Sequence, residues 1–170
     1  MPKARDKVLG RERLAKRVRE LQADGRCVVF TSGCYDLLHV GHLRSFEQAK
    51  SLGDALIVGV NRDRRVRELK GSGRPLVPER QRAELIAGLE VIQAVALFGE
   101  DDASALIRAI APDIVCKGGE YRGLRIPEQV AVEAVGGHFH HLKQIPGVRT
   151  TNLIERASAL RPRRTRKPGP

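Results

Sequence analysis

Residues 55–60, Ala-Leu-Ile-Val-Gly-Val, are apolar without interruption. A strand with one wet face alternates apolar and polar residues. An unbroken run suits a strand covered on both faces, as in a parallel sheet flanked by helices. Four more short segments read as strands: 27–31, 94–98, 113–116 and 138–142. Segments with helical spacing lie between them. Leu14, Val18 and Leu21 share one side of a helix over 11–21, and Leu43, Phe46, Ala49 and Leu52 share one side over 43–52. Helices are also expected over 78–89, 102–110, 127–135 and 150–160, with a short one after Asn61 and Asp63.

Strand and helix alternate along the chain. This predicts an α/β fold: a Rossmann-like, doubly wound, parallel five-stranded sheet with helices on both faces. Crossovers in such a sheet are right-handed, and ligands bind outside the carboxyl ends of the strands, where strand order reverses. The 170 residues suit one domain, 11–160, between a basic N-terminal extension, 1–10, and a basic tail, 161–170. Pro162, Pro168, Gly169 and Pro170 make a helix in the tail unfavourable, so it is expected to be disordered. Aromatic residues are 4% of the chain and Trp is absent, so the core must be aliphatic.

The net charge of +11 suggests nucleic acid, but its distribution argues against a specific nucleic-acid partner. Residues 1–20 and 161–170 each carry +5, which leaves 21–160 at +1. Basic ends of this kind are solvated or bind polyanions loosely. No apolar run approaches the ~20 residues needed to span a bilayer. The charged N-terminus lacks the apolar stretch of a signal peptide. Cys27, Cys34 and Cys116 are odd in number and show no C-x-x-C spacing. Free thiols in a reducing cytoplasm are the expectation, without a membrane partner.

Residues 31–42 read TSGCYDLLHVGH, with His39, Gly41 and His42 forming H-x-G-H. The motif falls where a strand ends and a helix begins. Free backbone N–H groups and the helix dipole favour an anion there. Residues three apart share one side of the first helical turn, so the imidazoles are expected to face together. Gly41 has no Cβ, so a phosphate can approach its backbone. No G-x-G-x-x-G or Walker A segment is present, so the histidines must serve the phosphates, as neutral donors or as imidazolium ions.

Other polar groups fall at the same edge of the predicted sheet. Asn61 and Asp63 follow the second strand, Lys117, Gly118 and Gly119 the fourth, and Thr150 and Thr151 open the last helix. Asp36 could hold Mg²⁺ beside a triphosphate, or could simply cap a turn. Lys70 and Arg74 lie in a Gly-rich loop, free to close over phosphates. Arg82 could reach inward or be a solvated helix charge. His138, His140 and His141 are not read as a metal site, because strand alternation splits them between two faces and no Cys or carboxylate is near.

Residues 31–42 resemble the first motif of the cytidylyltransferase-like nucleotidyltransferases, and within them the heptose-1-phosphate adenylyltransferases of bacterial ADP-heptose synthesis. Gly59-Val-Asn-Arg-Asp63, Leu69-Lys-Gly with Arg74-Pro75 and Arg82, Cys116-Lys-Gly-Gly-Glu-Tyr121 and Thr150-Thr-Asn-Leu-Ile154 resemble the same subgroup in order. The resemblance covers about residues 10–158. It implies transfer of AMP from ATP to a sugar 1-phosphate, with Mg²⁺ required and a homodimer expected. Carried onto this chain, His39 and His42 would stabilise the α-phosphoryl transition state and Lys70 would grip phosphates. Thr150 and Thr151 would hold the β/γ end, and 117–119 would border the nucleotide. Thr31, Ser32, Gly33, Tyr35, Asp36, Gly41, Asn61, Asp63, Arg74 and Arg82 complete the implied nucleotide site. Arg149 stands where the family commonly has Ser and is expected to contact phosphate from a shifted position. Tyr35 stands where Phe is usual. Composition alone does not separate ATP from CTP. The alternatives are a cytidylyltransferase for glycerol 3-phosphate or a similar alcohol phosphate, and a non-catalytic nucleotide-binding protein. Class I aminoacyl-tRNA synthetases also use H-x-G-H, but this chain is too short for one.

Overall fold

The computed structural model describes residues 3–118, 121, 123–146 and 150–160. The tail at 161–170, Gly119 and Arg149 lie outside the described residues. A short 3-10 turn, Ala4–Lys7, opens the structure and α1 (Arg11–Ala23) follows. Next come β1 (Val28–Gly33), α2 (Val40–Lys50), β2 (Ala55–Asn61), α3 (Asp63–Lys70), α4 (Glu79–Ala87) and β3 (Ile92–Phe98). The chain continues through α5 (Ser104–Ile110), β4 (Ile114–Lys117), α6 (Pro127–Ala134), β5 (His138–His141) and α7 (Thr150–Ala159).

The five strands form one parallel sheet in the order β3-β2-β1-β4-β5. From β1 the chain winds outward to β2 and β3, then returns to the other side of β1 with β4. The reversal therefore falls between β1 and β4, where a doubly wound sheet opens a crevice. In register, Val29 of β1 faces Leu56 of β2 on one side and Ile114 of β4 on the other.

Alternation sends successive strand residues to opposite faces, and each face has its own apolar layer. Val28 and Phe30 join Ile57, Ala94 and Ala96 under Leu14, Val18 and Leu21 of α1, Leu106 and Ile110 of α5, and Val132 of α6. Val29 joins Leu56, Val58, Val60 and Val95 under Phe46 and Ala49 of α2 and Ala83 and Ile86 of α4. Helices cover both faces, as the unbroken apolar run of β2 requires. The layers are mainly aliphatic, with Phe30, Phe46 and Phe98 as buried aromatic rings.

Carboxylates fasten the amino end of the sheet. Asp113 Oδ2 accepts the Val28 N–H at 2.7 Å, and Asp54 Oδ2 accepts the Cys27 N–H at 2.8 Å. The N-terminal segment is not a loose extension. Val8 makes a parallel bridge to Val95, the Leu9 N–H donates to Val95 O at 2.8 Å, and Lys7 Nζ donates to Ile92 O at 2.9 Å. These residues run along the outer edge of β3 and cover backbone groups that an edge strand leaves unpaired.

Gly59 sits at the centre of β2, where a Cβ would lie 2.8 Å from the Phe30 ring and 3.2 Å from the Phe98 ring. The missing side chain lets two large rings pack across the sheet. Gly59→Ala should therefore destabilise the fold by about 1–3 kcal/mol through overpacking. Urea unfolding of the two proteins checks this, and an unchanged midpoint would show that the rings can move aside.

Candidate active site

A cavity of about 720 Å³ opens at the carboxyl ends of β1, β2 and β4. Of the residues singled out in the sequence, it is lined by Thr31, Ser32, Gly33, Tyr35, Asp36, His39, Gly41, His42, Asn61, Lys70, Arg74, Lys117, Gly118, Thr150 and Thr151. Segments far apart in the chain meet here because a parallel sheet places every strand's carboxyl end on one side.

His39 is the N-cap residue of α2, with extended φ and ψ, and His42 lies in the first turn. Their rings stack with centroids 3.8 Å apart and planes 18° from parallel. Tyr35 holds a left-handed backbone, φ 50°, and sets its ring edge-on to His42, with centroids 5.4 Å apart. The Nδ1 atoms of both histidines are buried and lack a hydrogen-bond partner among the described residues. Burial lowers the pKa of His39. Burial, then the charges of His39 and Lys70, push His42 down to about 4. At neutral pH His42 is therefore an uncharged imidazole, which decides between the two forms that the sequence leaves open.

Lys70 is the exposed last residue of α3 rather than part of the following loop. Its charge is felt at His42, so the cation reaches the histidine pair electrostatically. Thr150 and Thr151 open α7, a helix with no buried residue that presents its N-terminus to the cavity. Helix N–H groups with an ammonium across the cavity suit a chain of phosphates.

Several expectations need correction. The Asp36 carboxylate lines the cavity but is already engaged by the protein. Oδ1 accepts the N–H groups of Leu76 at 2.7 Å and Val77 at 2.9 Å, and Oδ2 pairs with Arg74 Nε. Burial alone would raise the Asp36 pKa, but the Val77 and Leu76 bonds and Arg74 outweigh it and hold the pKa below the usual value. Asp36 is thus a clamp on the loop after α3. Arg74, expected to be free, is held by that clamp. Arg82 and Asp63 do not line the cavity; they support its wall. Arg82 is fully buried and donates to the carbonyls of Cys34, Asn61 and Val77 and to Asp63 Oδ1 at 2.7 Å. Among the described residues no group of three or more His, Cys, Asp or Glu could hold a metal ion.

Sequence reasoning assigned no site role to the other lining residues: Cys34, Ser45, Leu69, Tyr121, Leu142, Lys143, Gln144 and Ile145. The segment 142–145 directly follows β5, so the rule that ligands sit beyond strand ends could have found it. Glu128, behind Lys117, carries no signal in the sequence.

A parallel, doubly wound domain with stacked H-x-G-H histidines over one cavity at its switch point defines an α/β nucleotidyltransferase. The comparisons agree: the Cytidylyltransferase-like family model matches residues 30–156. The chain belongs to the cytidylyltransferase-like family. It is 42% identical over 150 residues to Bifunctional protein HldE of Pelobacter propionicus and 44% identical over 150 residues to that of Trichlorobacter lovleyi. Each alignment covers 88% of this chain but only 31% and 30% of those proteins, so the chain spans about a third of their length. The crystal structure of the lipopolysaccharide core biosynthesis protein from Thermoplasma volcanium GSS1 is also similar, at 28% identity and TM-score 0.58. That match covers 73% of this chain and 100% of the other.

Two outcomes follow from the geometry. Arg82→Met should cost on the order of 3–5 kcal/mol, because it leaves Asp63 and three carbonyls without their donor. Chemical denaturation measures this, and a loss under 1 kcal/mol would mean that water replaces the guanidinium. His42 has a folded pKa below the ordinary value of 6.5, so between pH 6.5 and about 4 the unfolded chain binds more protons at this site. Its contribution to stability is present above pH 6.5 and lost as the pH falls towards 4, by at most about 3 kcal/mol. Unfolding curves of His42→Gln should fall less steeply over that window than those of the parent protein.

Proposed function

We propose that the chain transfers AMP from ATP to a heptose 1-phosphate, giving ADP-heptose and pyrophosphate. The observation that carries the transfer chemistry is the stacked His39–His42 pair at the start of α2, with His42 uncharged at neutral pH, facing the same cavity as Lys70. An oxygen of the acceptor phosphate attacks the α-phosphorus of ATP. The bond from that phosphorus to the α–β bridging oxygen breaks, and pyrophosphate leaves with the electron pair. No covalent enzyme intermediate is needed. Imidazole N–H donors stabilise charge growing on the α-phosphoryl oxygens without bringing a proton that the reaction must remove. Lys70 and the α7 N-terminus with Thr150 and Thr151 hold the β- and γ-phosphates.

The choice of ATP and a heptose phosphate rests on the segments at 116–121 and 150–154. The names of the relatives support it: HldE proteins on one side, a lipopolysaccharide core biosynthesis protein on the other. Mg²⁺ enters this reading as part of the MgATP substrate, held by phosphate oxygens. Cys27, Cys34 and Cys116 are free thiols, which supports a reducing cytoplasmic setting. No described helix is long and apolar enough to cross a membrane.

Pyrophosphate release with Mg²⁺ tests the reading. ATP, CTP, GTP and UTP are crossed with D-glycero-D-manno-heptose 1-phosphate and glycerol 3-phosphate. Release is expected with ATP and the heptose phosphate alone. His39→Ala and His42→Ala should each lower kcat by about 10²–10³, the usual loss for a transition-state donor. Release with CTP and glycerol 3-phosphate would keep the mechanism and replace both substrates. No release with any pair, from a protein that binds ATP, would favour a nucleotide-binding protein without turnover.

A further inference from the structure

The cavity floor between β1 and β4 carries a polar group that the phosphate chemistry does not use. Ser32 of β1 is 8% exposed, and its Oγ is buried without a hydrogen-bond partner among the described residues, a donor and acceptor left unsatisfied at the cavity floor. Lys117, the last residue of β4, donates from Nζ to Ser32 O at 3.4 Å. Glu128 Oε1 lies 3.0 Å from Lys117 Nζ, with the Lys117 and Glu128 side chains 12% and 9% exposed. Glu128 stands in the first turn of α6, where helix N–H groups favour a carboxylate. Ser32 and Lys117 line the cavity, and Glu128 backs them without reaching it.

This placement changes what Lys117 can bind. It is half of a nearly dry, neutral ion pair. A phosphate brought to it would set a second anion beside Glu128, where little water screens the repulsion. Lys70 stands exposed at the end of α3, so phosphate is better served there. At Lys117 hydrogen-bonding capacity remains. An ammonium carries three protons; Ser32 O accepts one at 3.4 Å, Glu128 balances the charge at 3.0 Å and the Tyr121 ring centroid lies 5.7 Å from Nζ, while a serine hydroxyl both donates and accepts. The complement of that pair is another neutral hydroxyl.

We propose that Ser32 Oγ and Lys117 Nζ, held in place by Glu128, form a subsite that reads a sugar hydroxyl rather than a phosphate. Glu128 is a positioning residue acting through Lys117. The inference rests on the nucleotidyl-transfer reading and adds a hydroxyl-specificity element to it. The hydroxyl has two possible sources, the ribose of the nucleotide and the acceptor sugar.

Titration calorimetry on the full chain tests it. The probes are ATP, 2′-deoxy-ATP, 3′-deoxy-ATP, tripolyphosphate, D-glycero-D-manno-heptose 1-phosphate and inorganic phosphate. The variants are Ser32→Ala and the double change Lys117→Met with Glu128→Gln, which leaves no buried unpaired charge. Both should weaken a hydroxyl-bearing ligand roughly tenfold, the scale of one hydrogen bond to a charged or buried partner, and leave tripolyphosphate and inorganic phosphate unchanged. If one deoxy-ATP binds the parent protein as weakly as ATP binds the variants, the ribose is the source. If the heptose phosphate weakens and ATP does not, the acceptor is the source. Ser32→Ala removes a hydroxyl without a protein partner, so its melting temperature should hold; it carries the test alone if the double variant does not fold. The proposal is overturned if the variants bind every sugar-bearing ligand as the parent does, or if tripolyphosphate weakens as much as ATP. A parent protein that binds no sugar-bearing ligand overturns it too. Failure of the transfer reading looks different: ATP binds, and no acceptor releases pyrophosphate.

Discussion

Arg82 brings four pieces of chain to one point without access to water. Its guanidinium donates to carbonyls just past β1, at the end of β2 and ahead of α4, and to the Asp63 carboxylate at the start of α3. A buried guanidinium cannot leave its protons unpaired, so these acceptors must keep their places. The residues that face the cavity hang from those same pieces. His39 and His42 follow the segment after β1, Asn61 ends β2, and Lys70 ends α3. The Asp36–Arg74 clamp ties the loop after α3 to the segment after β1. Asp36, Asp63, Arg74 and Arg82, singled out in the sequence for ligand contact, thus build the frame that holds the other cavity-facing groups.

The frame separates charged from uncharged work. The stacked imidazoles sit where burial keeps His42 neutral, and the cation of Lys70 stands at the exposed end of its helix. Two imidazolium rings at 3.8 Å would repel each other, and a nearby ammonium would add to that repulsion. A neutral pair can share one small volume and still offer N–H groups to a phosphoryl centre. Lys117 is a second lysine at the cavity with the opposite arrangement, its charge balanced by Glu128. Lys70 and Lys117, two of the lysines lining the cavity, therefore present different chemistry, and the difference lies in what stands behind each.

Much of the architecture was legible in the sequence because it depends on repeated local signals. The unbroken apolar run at 55–60 became β2 with both faces covered, and the alternation of strands and helices became a parallel sheet. The H-x-G-H segment lay at a strand-to-helix junction, as its surroundings required. Long-range pairings had no such signal. Asp36 meets Arg74 across 38 residues and Arg82 meets Cys34 across 48, so nothing local distinguishes them from solvated charges. The N-terminal segment carried no such signal either: Val8 and Leu9 are too short a run to announce that they cover the edge of β3. Glu128 sits among ordinary helix residues, and only the fold sets it against Lys117.

Parallel winding also explains why the cavity opens at the carboxyl end of this sheet. At the amino end, Asp54 and Asp113 accept the backbone N–H groups of residues entering β1. At the carboxyl end, the helix after each strand begins, so backbone N–H groups and positive dipole ends gather there. A chain with a Gly-rich loop lets phosphates approach those groups directly. This chain places the His39 and His42 rings at the mouth of α2, so the first donors a phosphoryl group meets are imidazoles rather than backbone amides. Neutral imidazole N–H groups, like backbone amides, can stabilise charge that grows on a phosphoryl group in the transition state. In the proposed reaction the H-x-G-H junction would hold the phosphorus while it reacts, and the exposed Lys70 and the start of α7 would hold the part that leaves.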